Sequence, residues 1–398
     1  MGGMLIQLLS YRVLCYGDRY PKYLVWSFIY MAVIMSEDLV IYSLMAILVV
    51  VLLGPLLSKR IEENLEVFFL VMGFLASLVS GSLGLGLLLE ALKTPLMIRD
   101  VPLGIFQAVL VSGILFEMFR DKLRSVISSG KAIKKAPLIY SILVFILGMG
   151  SSVISAIVAS VIIAEVARTM EIPRGVRTLL LVIPAYAIGA GAALTPLGEP
   201  LSTIAVAKLS GEPYHADFFF LARLLWDYVV AIVAICSILS WYLYRRALRT
   251  IEAIIAIATP SRRDGSSRSY REAVVRAIKI YIFVFALVLL GHSFDPVVER
   301  YIAHLSPEAM YLFGSVSAAL DNATLTAAIV TPEMEILQIK SFLISLLISG
   351  GFLIPGNVPN IVIAYINGVG FKEWAYKAIP IGLPLFLGSF IALFYLGL

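Results

Sequence analysis

Asp321 and Asn322 stand together in Leu320-Asp321-Asn322-Ala323-Thr324-Leu325-Thr326, and Asn357 and Asn360 share the short stretch Gly356-Asn357-Val358-Pro359-Asn360. A third polar stretch, Thr195-Pro196-Leu197-Gly198-Glu199-Pro200, lies in the first half of the chain. All three interrupt long apolar runs, and together the first two hold three of the chain's five asparagines. These residue types are oxygen donors: amide oxygens from Asn322, Asn357 and Asn360, hydroxyls from Thr195, Ser202, Thr203, Thr324 and Thr326, and carboxylates from Asp321 and Glu199. Hard cations such as sodium take oxygen ligands, and no thiol or imidazole cluster points to a transition metal. A carboxylate at bilayer depth costs about 2.5–3.5 kcal/mol on insertion scales, so it marks a functional position unless something pairs with it. A carboxylate that loses a proton on binding a cation, and regains it on release, meets the minimum requirement for antiport.

Elements that hold such groups in apolar surroundings must themselves cross a membrane. The chain has 398 residues, 60% hydrophobic and 14% charged, which excludes a soluble domain of this size. Several apolar runs reach the roughly 18–20 residues needed to cross a bilayer. The net charge of +5 is concentrated in loops between those runs. Such a pattern orients a membrane protein and does not suggest nucleic-acid binding. Cys15 and Cys236 are too far apart in context for a disulfide framework or metal site. His215, His292 and His304 show no ligand spacing and are expected at membrane edges. Residues 1–35 form an N-terminal extension without a signal-peptide cleavage site, and Met35 is a candidate alternative start.

Apolar runs and their charged borders give spans at about 39–57, 65–90, 101–119, 177–209, 218–244, 276–294, 337–367 and 375–397. Two further segments, 137–168 and 307–336, are apolar around polar centres at Gly150-Ser151-Ser152 and Asp321-Asn322-Ala323. Arms of about 13 residues, about 20 Å as helix, are too short to cross alone. Arg120–Lys135 and the linker 245–276, with its eight arginines, are both expected in the cytoplasm. The two spans between them return the chain to its starting side only if 137–168 makes no net crossing, so that segment reads as re-entrant. The second half then repeats the first upside down. The expected fold is an all-α polytopic membrane protein with two inverted repeats, each holding a re-entrant helical hairpin and a discontinuous transmembrane helix. Its divisions are 1–35, the extension; 36–100, N-terminal transmembrane helices; 101–244, transport repeat 1; 245–275, the basic linker; and 276–398, transport repeat 2. The weakest stretch is 65–100, where Gly81, Gly84 and Gly86 can hide an extra turn.

Helix-opening chemistry recurs in both halves: Pro196, Gly198 and Pro200 in one, Gly356 and Pro359 in the other. Unwound segments in matched positions are a sequence pointer to a transport site, where exposed carbonyls and half-helix ends coordinate ions. Asp-Asn-Ala-Thr is also good helix-capping chemistry, and capping is compatible with transport. Glu90, Glu117 and Glu165 lie near span ends and are expected to reach the interface. Arg223 and Asp227, four apart on one helix, are expected to pair, with Asp227 a secondary candidate for proton movement. Trp226, Trp241 and Trp374 read as interfacial belt residues.

At Leu320–Ala328, Thr195–Thr203 and Gly356–Asn360 the chain resembles the ion transporter superfamily, most closely its NhaD-type sodium/proton antiporters and related cation transporters. The resemblance covers residues 39–397. It implies inverted repeats around midplane sites, often in a homodimer, with Asp321, Asn322 and Thr324 at the second hairpin tip and Thr195, Gly198 and Glu199 in the first unwound helix. Carboxylate transporters of that superfamily carry Ser-Asn-Thr at both tips, and this chain does not. The expected function is sodium/proton antiport across the plasma membrane, with both termini outside, no cofactor and no enzymatic activity. Its cation- and proton-binding residues would be Asp321, Glu199, Asn322, Thr324, Asn357, Asn360, Thr195, Ser151 and Ser152. The alternative within transporters is an anion permease for a carboxylate or arsenite; no Arg or Lys lies inside the breaks, and two acids repel an anion. An intramembrane aspartyl protease requires a Gly-x-Gly-Asp setting that Asp321 lacks, and paired breaks favour alternating access over a channel.

Overall fold

Helices carry the whole architecture, and their interruptions position the site. The computed structural model describes residues 37–97, 104–111, 114, 130–170, 172–255, 270–301 and 305–397. Helix α1 spans Glu37–Leu57, with Glu37 and Asp38 in the first turn where the helix dipole favours negative charge. A short α2 (Lys59–Glu63) leads into α3 (Leu65–Ser80), and α4 covers Leu85–Lys93. The expected single span 65–90 is therefore two helices, broken where Gly81 takes a left-handed conformation (φ 72°). Of the expected span 101–119, a helix over 105–111 is described. The extension 1–35, Cys15, Glu117, His304 and most of the basic stretch 120–135 lie outside the described residues, as does 256–269 of the linker.

Helix α5 (Gly130–Ile154) meets α6 (Ala156–Arg168) at Ser155. This corrects the expected break at Gly150-Ser151-Ser152. Ser151 and Ser152 donate their hydroxyls to Gly148 O (2.6 Å) and Met149 O (2.8 Å), so the helix runs on through them. The chain turns at Ser155 instead, with φ 79°. A non-glycine residue in that region costs about 1–3 kcal/mol. Two bonds hold the turn: Ser155 Oγ accepts from Ile157 N, and Ala156 N donates to Gly198 O at 2.9 Å. The arms are unequal: Lys135–Ile154 is long and apolar enough to cross a membrane, whereas α6 has 13 residues.

Next come α7 (Arg174–Ala192), α8 (Pro200–Lys208) and α9 (Phe220–Ile255), whose far end makes part of the expected linker helical. The second half has α10 (Tyr270–His292), α11 (Asp295–Tyr301), α12 (Pro307–Phe313) with a 3₁₀ turn Gly314–Ala318, and α13 (Asn322–Ile329). It ends with α14 (Ile336–Ser349), a 3₁₀ turn Ile354–Gly356, α15 (Val358–Asn367) and α16 (Phe371–Phe394). Six helices among the described residues are long and apolar enough to cross a membrane. The chain is a multi-pass membrane protein.

Packing partners in the two halves are reciprocal. In the first half α5 packs on α7 and α7 on α9; in the second, α12 packs on α14 and α14 on α16. Across the halves, α6 packs on α15 and α8 on α13, while α7 meets α14 at the centre. Helix α7 is the most enclosed span, with 78% of its apolar window buried, which suits an element walled by protein and not by lipid. Its Tyr186 hydroxyl donates to Ala378 O of α16 (3.0 Å). Trp374, expected at the interface, is fully buried and donates its indole N–H to Gly351 O (3.2 Å). Arg223 pairs with Asp217 (2.8 Å) and not with Asp227, which is exposed on α9. Asp217 sits in the loop before α9, where its carboxylate can also accept from Phe219 N (3.0 Å). The Arg223 guanidinium, through its hydrogen bond, holds that exposed carboxyl below its ordinary range.

Candidate functional site

Two helices are unwound where the sequence has its Gly/Pro breaks, and they are unwound alike. Between α7 and α8 the chain runs irregularly to Glu199, the N-cap of α8, at φ −154°, ψ 164°. Between α14 and α15 it runs to Asn357, the N-cap of α15, at φ −154°, ψ 162°. Proline in the first turn of each second half-helix, Pro200 and Pro359, costs no hydrogen bond there. Carbonyls at the end of the first half-helix and in the break after it are bonded from the second half-helix: Ser202 Oγ donates to Ala192 O (3.3 Å), and Asn360 Nδ2 donates to Gly350 O (2.8 Å) and, within the break, to Leu353 O (2.7 Å). Gly198 and Gly356 precede the two caps. A Cβ there would lie 1.9 Å from Ala192 O and 2.3 Å from Gly350 O respectively, so only glycine lets the chain fold back this closely.

Asp321, before α13, supplies a third cap position. Asp321 Oδ2 accepts from Ala323 N (3.1 Å) and Thr324 N (3.3 Å) at the start of α13. Helices α8 and α13 lie side by side and are joined near their far ends, where the Lys208 ammonium donates to Ala327 O. Their N-termini, carrying Glu199 and Asp321, therefore point into the same space. In the counterpart pair, Asn367 Nδ2 of α15 donates to Ala164 O of α6 (3.3 Å).

That space is a cavity of about 260 Å³. Glu199, Asp321, Asn322, Thr324, Asn357 and Pro200 line it, against apolar walls from Leu201, Ile204, Val284, Leu287, Val288 and Ile361. Several buried polar atoms here lack a hydrogen-bond partner among the described residues: Glu199 Oε1, Asn322 Oδ1 and Asn357 Nδ2, with Asn360 Oδ1 nearby in the second break. Leaving a buried polar group unpaired costs about 1–3 kcal/mol, more when it is charged. Asn322 Oδ1 lies against Gly350, and unpartnered oxygens beside a cavity are groups that a dehydrated cation satisfies.

The structure brings together five of the nine expected site residues: Asp321, Glu199, Asn322, Thr324 and Asn357. Asn357, however, presents the wrong atom for a cation. Its Oδ1 accepts from Asn360 N (3.1 Å), and its free amide nitrogen faces Gly189. Thr195, Ser151 and Ser152 do not reach the cavity. Thr195 donates to Ser152 O, Ser152 to Met149 O, and Ser151 to Gly148 O and Ile188 O (3.0 Å). Thr195 ties the first break to α5, Ser151 ties α5 to α7, and Ser152 bonds only within its own helix. Asn360 lies behind the cavity lining, its amide nitrogen committed to two carbonyls.

Glu90 of α4 and His292 of α10 also line the cavity, at its mouth, and they were not among the expected site residues. They meet across 202 positions of sequence, His292 Nε2 to Glu90 Oε1 at 3.2 Å, so no spacing pattern links them. The one available signal was that each lies beside a span end.

A second cavity, of about 850 Å³, opens at the other end of α10. Arg168, Arg177, Arg271 and Arg276 line it against Glu62 and Glu63, together with a Lys279–Glu66 ion pair (2.6 Å) and with Ile354 and Tyr365 from the second broken helix. Along α10 the two cavities are separated by Phe283. Its ring is fully buried, 4.9 Å from that of Phe69 and 5.6 Å from that of Tyr365.

A comparison with curated proteins gives no match. Residues 41–396 match the family model DUF1646, described as a protein of unknown function, and the chain therefore belongs to that family.

Proposed function

We propose that this protein is a secondary active cation transporter that exchanges sodium for protons, with Glu199 and Asp321 as the exchanging carboxylates. The observation that carries this reading is the meeting of two carboxylates, each at the N-cap position of a half-length helix, in the lining of one apolar-walled cavity, with the unpartnered buried oxygens Glu199 Oε1 and Asn322 Oδ1 beside it. A sodium ion bound between these oxygens releases a proton from a carboxyl group. When the ion leaves, a proton takes its place, so the site never crosses the apolar barrier carrying two bare charges. Asp321 keeps one oxygen on the α13 backbone N–H groups, which fixes its carboxylate and leaves the other for the cation. Thr324 adds a hydroxyl one turn on.

Alternating access needs two openings and a barrier. The two cavities along α10, divided by Phe69, Phe283 and Tyr365, supply such a pair. The reciprocal packing of the halves supports two inverted repeats, with hairpins α5–α6 and α12–α13 as the re-entrant elements. It also supports the kinship with NhaD-type antiporters suggested by the motifs. By the positive-inside rule the arginine-lined cavity faces the cytoplasm of a plasma membrane.

One observation favours an anion permease instead: the basic lining of the larger cavity attracts anions. That charge lies on the far side of the aromatic barrier, whereas the cavity with unpartnered oxygens is acidic. The deciding experiment uses purified protein in liposomes with an internal pH dye. Sodium, lithium or potassium added outside should move protons; a response to a carboxylate or to arsenite, and to none of the cations, would select the permease.

A further inference from the structure

The cavity mouth holds a histidine that the exchange cycle above does not use. His292 ends α10 with Nε2 3.2 Å from Glu90 Oε1 and Nδ1 3.8 Å from Asp295 Oδ2, so its two ring nitrogens face two different carboxylates. Its neighbour in sequence, Gly291, is pressed against Thr324. A Cβ on Gly291 would lie 2.3 Å from Thr324 Cγ2. Thr324 N is one of the two groups that hold the Asp321 carboxylate. His292 is thus one residue from direct contact with the first turn of α13, and it lines the same cavity as Glu199 and Asp321.

We propose that His292 is the proton-relay residue of this site, passing protons between solvent at the mouth and the carboxylates Glu199 and Asp321; the proposal rests on the antiport reading. The titratable groups facing it are Glu90 from α4, Asp295 at the head of α11 and, across the cavity, Glu199 from α8 and Asp321 from α13; α15 brings Asn357. A solvent proton binds the ring nitrogen on the Asp295 side, giving an imidazolium stabilised by both flanking carboxylates. The nitrogen on the Glu90 side then gives up its proton into the cavity, through Glu90 or through water, for which the cavity has room. The ring returns to neutral with its tautomer exchanged, and a carboxylate oxygen inside gains the O–H bond. Running the steps in reverse exports the proton that a binding cation displaces. An imidazole suits this role because it takes a proton at one nitrogen and gives one from the other near neutral pH.

The bland reading is an ion pair that pins α4 to α10. His292→Gln separates the two, because glutamine keeps a hydrogen-bonding side chain but cannot relay a proton. The experiment uses the full chain in liposomes, with sodium-driven proton movement measured from pH 6.5 to 8.5 and sodium binding measured at equilibrium. For His292→Gln the expected result is sodium affinity within about twofold of the unsubstituted protein and an exchange rate lowered about 100-fold or more, as for a lost general acid–base group. Millimolar imidazole in the external buffer should restore much of the rate. Glu90→Gln should slow exchange less and shift the pH profile of the rate. Exchange by His292→Gln at the original rate overturns the relay, and so does a loss that comes with weakened sodium binding and does not respond to imidazole. If the unsubstituted protein itself moves no protons in response to any cation, the antiport reading falls first and takes the relay with it.

Discussion

Gly291→Ala tests whether α10 and α13 approach as closely as the site requires. The added methyl carbon would sit 2.3 Å from Thr324 Cγ2 and 2.7 Å from its Oγ1, where ordinary contact begins at 3.4 Å. Either the Thr324 side chain or the first turn of α13 must therefore yield by about 1 Å. Overpacking of this kind costs about 1–3 kcal/mol of stability. Function should suffer more than stability, because Thr324 N and Ala323 N are the donors that hold the Asp321 carboxylate. A displacement of about 1 Å in a group that takes part in chemistry can cost about 100-fold in rate. The assay is sodium-driven proton movement in liposomes beside thermal unfolding in detergent. Gly291→Ala should unfold a few degrees lower and exchange one to two orders of magnitude more slowly. Thr324→Ser in the same chain removes the closest methyl, but Oγ1 (2.7 Å) and Cβ (2.8 Å) still crowd the added carbon, so the double variant should recover only part of the loss. Because the two sites touch, their effects should not add. Wild-type exchange and stability in Gly291→Ala, or simple additivity with Thr324→Ser, would refute the close approach and with it the placement of Asp321 against α10.

Asp321→Asn and Glu199→Gln keep size and hydrogen bonding but cannot titrate, so each should lower exchange by at least about 100-fold while the protein still folds; normal exchange in both removes these carboxylates from the mechanism. Since a proton and a cation compete for the same oxygens, lowering the pH should raise the apparent KM for sodium, by up to about tenfold per pH unit for each proton displaced, and change the saturated rate less. Sodium flux that does not vary between about pH 6 and 9, with no proton counter-movement, would contradict that competition. A cysteine at Ala323, in a chain whose Cys15 and Cys236 are alanine, should react in sodium-free buffer with an impermeant thiol reagent supplied at the His292 end of α10; equal labelling from the Tyr270 end would mean that Phe69, Phe283 and Tyr365 form no barrier.

Hydropathy and helix breakers made much of this architecture legible. Pro196, Gly198, Pro200, Gly356 and Pro359 mark the two unwound stretches because a helix cannot continue past such groups without losing bonds that lipid will not replace. The turn between α5 and α6 departs from its sequence pattern for a related reason. Gly150-Ser151-Ser152 looks like a break in composition, but serine hydroxyls bond back to the preceding turn and leave the helix intact, so the turn falls four residues later, at Ser155. Side-chain direction was harder still. Nothing in the sequence says that Asn357 spends its oxygen on Asn360 N and offers only nitrogen, or that Arg223 turns back to Asp217 in the preceding loop instead of forward to Asp227. Glu90 and His292 became neighbours only when α4 packed on α10.

The two halves share backbone geometry but not charge, and the asymmetry tells where the chemistry lies. Glu199 and Asn357 cap equivalent half-helices with nearly the same φ and ψ, and Ser202 and Asn360 reach back to equivalent carbonyls, Ala192 O and Gly350 O. Ser155 and Asp321 likewise cap the second arms of the two hairpins. A helix N-terminus carries partial positive charge and by itself favours anions. Where α6 and α15 pack, the caps are the neutral Ser155 and Asn357. Where α8 and α13 pack, the residues at both cap positions carry carboxyl groups, Glu199 and Asp321. The backbone frame alone would suit an anion at either place. Two side-chain choices, Glu199 and Asp321, turn one of them into a site whose charge is balanced only by a proton or a cation.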